Sequence, residues 1–147
     1  MASSIEKTFS RITHVDTDIH AGIEQVWELL TNTEKQSDWN STLKSIKGNI
    51  GEEGKVEVIT KLDPSQTFKL KVTSFDPPNS MTWSSGMAPF FKGEREYRLT
   101  RMRDTATYFE MKETMKGLMF PLASKHIPDM KPSFDQIVRD LKQAAEG

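Results

Sequence analysis

Arg95, Tyr97 and Glu113 are the residues of this chain whose types and spacing point most directly to chemistry. Strand periodicity of two puts Gly93, Arg95, Tyr97 and Leu99 on one face, and Phe109, Met111, Glu113 and Met115 on one face of the next segment. A short turn at Arg103-Asp104-Thr105 joins the two segments as a hairpin. Pairing Leu99 with Phe109 then sets Tyr97 opposite Met111 and Arg95 opposite Glu113. A guanidinium and a carboxylate thus meet among apolar side chains, where either one alone is costly to bury. Such a pair can be a structural ion pair at a wet cavity end, an anchor for the polar group of a ligand, or a catalytic set. In the catalytic version Glu113 is the general base, Arg95 stabilises a developing enolate and Tyr97 donates a hydrogen bond. The adjacent guanidinium counts against that version, because a neighbouring cation makes a carboxylate a weaker base.

Other candidates carry less. His14, His20 and His126 are scattered without ligand spacing, so no metal site is expected, and no motif implies another cofactor. Ser84-Ser85-Gly86 lacks the nucleophile elbow of a serine hydrolase. Gly48, Gly51 and Gly54 flank Glu52 and Glu53, which would repel phosphate, so they read as hairpin glycines. Two apolar clusters, Met87 to Phe91 and Gly117 to Pro121, fall between structural segments. Either they gate a hydrophobic ligand, or they plug the domain end or form a homodimer contact.

The elements that must position these residues follow from hydrophobic period. A first strand covers Arg11 to Asp18, and a helix covers Gly22 to Leu30, where Ile23, Val26, Trp27 and Leu30 share a side. Thr33 and Gln36 have capping-box spacing and suggest a second short helix leading to Trp39. Six strands then follow, near 41–47, 55–62, 66–75, 80–86, 92–102 and 105–115, separated by Gly, Asp-Pro and Pro-Pro turns that join them as an antiparallel meander. The last segment is helical, with Ile127, Met130, Phe134, Ile137, Val138 and Leu141 as its apolar stripe and a break at Pro128 and Pro132. The reading is an α+β fold of seven strands, two short helices and a long C-terminal helix over one sheet face, in a single domain spanning 1–147.

Composition agrees. A chain of 147 residues suits one core without staples. Twenty Lys and Arg against 21 Asp and Glu leave a net charge of -1, and with no basic excess there is no electrostatic footprint for nucleic acid or an anionic membrane. The absence of Cys excludes disulfides, thiolate nucleophiles and zinc fingers. The polar N-terminus with Glu6 and Lys7 is not a secretory signal, and Gly117 to Ala123 is too short to span a bilayer, so a soluble, cytoplasmic protein without integral membrane contact is expected.

The order of elements, with Val26-Trp27, Trp39, Trp83, Gly93-Glu94-Arg95-Glu96-Tyr97-Arg98-Leu99, Phe109 to Glu113 and Ile127 to Phe134, resembles the START-like helix-grip superfamily (SRPBCC), in its polyketide cyclase/dehydrase-like branch. The resemblance covers nearly the whole chain, and its motifs are packing motifs rather than a catalytic signature. It implies a seven-stranded antiparallel sheet wrapped round the C-terminal helix, with an apolar cavity between them that takes a lipid, quinone or polyketide-like molecule. On that expectation the walls come from Leu43, Val58, Leu70, Trp83, Met111, Met119, Leu122 and Ile127, joined by Trp39, Met87 and Phe91 as ligand contacts. Arg95, Tyr97 and Glu113 supply polar orientation. A non-enzymatic binder of a small hydrophobic molecule is the first reading. A cyclase- or dehydratase-like enzyme using Glu113 and Arg95, or a protein-interaction module using the 87–91 loop, are the alternatives.

Overall fold

Period-two alternation becomes a single antiparallel sheet in the computed structural model, which describes residues 1–147. The strands are β1 (Ser3–Lys7), β2 (Ser10–Ile19), β3 (Leu43–Gly48), β4 (Lys55–Thr60), β5 (Phe68–Asp76), β6 (Ser80–Met87), β7 (Phe91–Arg103) and β8 (Ala106–Lys116). The helices are α1 (Ile23–Thr31), α2 (Thr33–Trp39), α3 (Phe120–Ala123) and α4 (Lys131–Glu146), with a 3-10 turn at Ser124–His126. In space the order is β1-β2-β8-β7-β6-β5-β4-β3. The meander from β3 to β8 is therefore as expected, and β2 closes it by pairing with β8, Val15 opposite Met111 and Thr13 opposite Glu113. The sheet has eight strands rather than seven. The additional β1 forms a hairpin with β2, and all five of its residues are exposed, so it carries no inward apolar alternation to reveal it.

One parity of each strand faces α4. Val15 and Ile19 on β2, Phe109 and Met111 on β8, Tyr97 and Leu99 on β7, and Met81 and Trp83 on β6 are all buried in the same core. Onto it α1 lays Ile23, Val26, Trp27 and Leu30, the stripe read from its spacing. The α4 helix contributes Phe134, Ile137 and Leu141, with Val138 packed at the margin. Pro132 sits in the first turn of α4, where its missing N–H removes no intrahelical bond. Ile127 and Met130 precede this helix, so the break falls between them and Phe134. The Ala2 N–H donates to Asp135 Oδ1 at 2.6 Å, and Ser41 donates to Asp140 through both N–H and hydroxyl, which fastens the two sides of the fold to α4.

The capping box did not form as expected. Asn32, not Thr33, caps α2 by accepting from the Lys35 N–H. Gln36 is instead buried, donating to Leu30 C=O at 2.8 Å and accepting from Asn40 Nδ2. A buried amide must be satisfied on both atoms, and the last turn of α1 and the C-cap of α2 supply the partners.

Candidate functional site

The β7–β8 hairpin holds the register read from its sequence: Leu99 faces Phe109, Tyr97 faces Met111 and Arg95 faces Glu113. The one irregularity lies between Arg101 and Arg103, on the turn side of these pairs, so it leaves their parity untouched. Arg95 Nη2 donates to both carboxylate oxygens of Glu113, at 3.2 and 3.3 Å. Next to Arg95 on the other side lies Trp83, and beyond Glu113 lies Thr13, so a row of four residues crosses the inner face. The adjacent row is Met81, Tyr97, Met111 and Val15, all buried. From above, the Phe134 ring of α4 covers the guanidinium, with Cζ 5.0 Å from its centroid. Trp83 and Tyr97 pack ring to ring at 5.1 Å.

The side chains of Arg95 and Glu113 retain 22% and 15% of their exposure, so they are largely but not fully withdrawn from water. Burial alone would lower the pKa of Arg95, yet the charge of Glu113 and the Tyr97 phenol outweigh it and raise the value above that of a free guanidinium. Burial likewise pushes the Tyr97 phenol up, against the opposing pull of Arg95, so the hydroxyl stays protonated and able to donate at neutral pH. Glu113 engages only Nη2, which leaves Nε and Nη1 of the guanidinium outside this contact. That part of the guanidinium has the chemistry to donate to a carbonyl, phenolate or carboxylate oxygen.

The remaining candidates divide into three groups. Val58, Trp83, Tyr97 and Met111 lie in the core, and Trp39, Leu43 and Leu70 pack against it. Trp39 also donates its indole N–H to Leu29 C=O at 2.8 Å, so its polar atom is already used. Phe91 and Ile127 are half-buried at one end, Phe91 stacked on Phe120 at 6.5 Å. Met119 and Leu122, expected as walls, and Met87, expected as a contact, are instead exposed at 46%, 65% and 70%. Their loops fold over the end of the sheet rather than under α4, because their backbones bond to the 87–91 segment and to one another. A groove of about 450 Å³ lies at that end, lined by Phe9, Pro89, Lys92, Lys116 and Leu118 among others, and Arg95 and Glu113 take no part in it.

Three residues of the site escaped the sequence. Thr13 is buried directly across from Glu113, and Phe134 is the cover of Arg95 as well as a core residue. Arg11 lies over the Phe120 ring at 5.8 Å, reaches Ile127 C=O at 3.4 Å and pairs with Glu6 at 2.8 Å. Thr13 and Arg11 share parity with Val15, but Glu113, Phe120 and Ile127 lie about a hundred residues away from them, and contact over that separation has no local signal. The His14 ring lies 3.4 Å from the Glu110 carboxylate, the His20 backbone N–H donates to Glu146, and no three metal-ligating side chains converge. No helix is long and apolar enough to cross a membrane.

Residues 11–146 match the family model described as polyketide cyclase / dehydrase and lipid transport. Among solved structures, a conserved protein of unknown function from Enterococcus faecalis is similar with a TM-score of 0.71 at 17% identity, covering 99% of this chain and 77% of that one. A START superfamily protein from Mycobacterium smegmatis gives a TM-score of 0.67 at 11% identity, over 91% of this chain and 96% of that one. A Thalictrum norcoclaurine synthase point mutant in complex with a transition-state analogue gives 0.67 at 9% identity, over 97% and 96%. At these identities the likeness is one of fold. No curated protein matches the sequence.

Proposed function

The chain belongs to the polyketide cyclase / dehydrase and lipid transport family, and we propose that it is a cytoplasmic binder of a small hydrophobic molecule carrying a polar oxygen group. One observation carries this reading: the Arg95–Glu113 ion pair is set among Trp83, Tyr97, Met111 and Phe134 on the inner face, and Glu113 engages only Nη2 of the guanidinium. A purely structural pair is favoured when all its donors are met, whereas spare donors beside aromatic surface suit a guest with one polar end. Met111 and Met115 on the same face lend the adaptable lining that irregular ligands need.

Native mass spectrometry of the protein purified from its own host tests the reading. The expected result is a species heavier than the bare chain by one small organic molecule, released on denaturation. The reading is overturned by the bare chain alone, together with an unchanged Tm in saturating long-chain fatty acid, quinone and aromatic polyketide.

A further inference from the structure

The overall charge of -1 conceals a local excess. Three segments distant in sequence meet at one end of the sheet: the β1–β2 turn, the β6–β7 loop and the β8–α3 loop. Gly117 N–H donates to Phe9 C=O at 3.0 Å, Leu118 N–H to Pro89 C=O at 2.9 Å and Met119 N–H to Phe90 C=O at 2.8 Å. Gly117 has φ +144°, and a Cβ there would lie 2.2 Å from the Phe90 carbonyl oxygen, so only glycine permits this approach. Buried Phe120, stacked on Phe91, forms the floor. With the backbone satisfied and the floor packed, the loops turn large apolar side chains outward: Phe9, Met87, Phe90, Leu118 and Leu122 are each more than half exposed.

Lysines border this surface. Lys92 and Lys116 line the groove with Phe9 and Leu118, Lys7 ends β1 at the same turn, and Lys125 follows Leu122 by about one helical turn. Lys7, Lys116 and Lys125 have no carboxylate partner, while the neighbouring acids Glu6 and Glu94 are taken by Arg11 and Lys92. We propose that this end of the molecule docks peripherally on an anionic lipid surface, its aromatic and aliphatic tips entering the interface and its lysines meeting the headgroups. A second copy of the chain on the same face would set unpaired lysines against unpaired lysines, which charge disfavours. None of these residues hydrogen-bonds to Arg95 or Glu113, so docking here does not depend on whether the interior takes a guest.

Co-sedimentation with phosphatidylcholine vesicles, with and without phosphatidylglycerol, tests it. The protein is expected to sediment with the anionic vesicles and to be released as salt rises. Lys7→Ala and Lys116→Ala should each lower the partition roughly fivefold. Phe90→Ser combined with Leu118→Ser should abolish it at unchanged Tm, both side chains being on the surface, and Met102→Ser at the opposite end of β7 should leave it intact. Protein that stays in the supernatant with both vesicles overturns the proposal, as does undiminished sedimentation of the Phe90→Ser, Leu118→Ser variant. A dimer by analytical ultracentrifugation that Phe90→Ser dissolves, without vesicle binding, overturns it in favour of a second copy.

Discussion

Two ion pairs join β7 to β8 at consecutive registers and at the same separation, on opposite faces of the sheet. Arg95–Glu113, at 3.2 Å, lies beneath α4 with side chains 22% and 15% exposed; Lys112–Glu96, also 3.2 Å, lies outside at 46% and 41%. Distance does not distinguish them, but parity does. Outside, water screens the attraction and solvates either partner left alone. Inside, each charge has lost much of its hydration and depends on the other. The same contrast separates the two tyrosines. Burial raises Tyr97, whereas a hydrogen bond to Asp16 on the outer face raises Tyr108, to about 12.

Four changes sharpen or break this contrast. Phe134→Ala removes a fully buried ring and the cover of Arg95, and should destabilise by about 4 kcal/mol in chemical denaturation, as large-to-small core changes do. Arg95→Met strands Glu113 and should cost about 3 kcal/mol, toward the low end for a broken buried pair because some exposure remains. Adding Glu113→Leu should recover much of that loss; a double variant as weak as the single one would show that packing, not charge, accounts for it. Lys112→Met or Glu96→Gln should change stability by less than about 1 kcal/mol, as at exposed pairs generally. An effect matching that of Arg95→Met would erase the distinction between the faces.

The smallest effect is one of pH. Because Tyr108 has a raised folded pKa, its contribution to stability is complete below the ordinary value of 10.0 and is lost as pH rises through about 12. The chain has 2 tyrosines and both are raised, so an ultraviolet titration of the folded protein should show little tyrosinate at pH 10.0. Half-titration of either at that pH would contradict the assigned environments, and Tyr97→Phe tells which tyrosine it is.

The inner pair was legible in the sequence because a single hairpin creates it. Arg103-Asp104-Thr105 fixes where β7 turns into β8, and Leu99 and Phe109 fix the parity, so local information suffices. The long meander and the stripes on α1 and α4 were legible for the same reason. What the sequence hid lies in contacts between distant segments. β1 has Ile5 as its only apolar residue and is an exposed edge. Thr13 reaches Glu113, and Phe134 reaches Arg95, only once the whole sheet has curved onto α4. The family resemblance implies Met119 and Leu122 as walls, but the close approach of Gly117 to Phe90 holds their segment across the sheet end. Net charge averaged away the lysines at that same end.

The central claim is that Arg95 and Glu113 orient a guest rather than only hold two strands together. The most direct measurement is native mass spectrometry of the Arg95→Met, Glu113→Leu double variant beside the parent, both purified from the natural host, with Tm recorded for each. The account predicts a folded, cooperatively melting double variant that has lost the small-molecule species carried by the parent. A double variant that carries the same species at the same occupancy would contradict it and leave the pair a structural one.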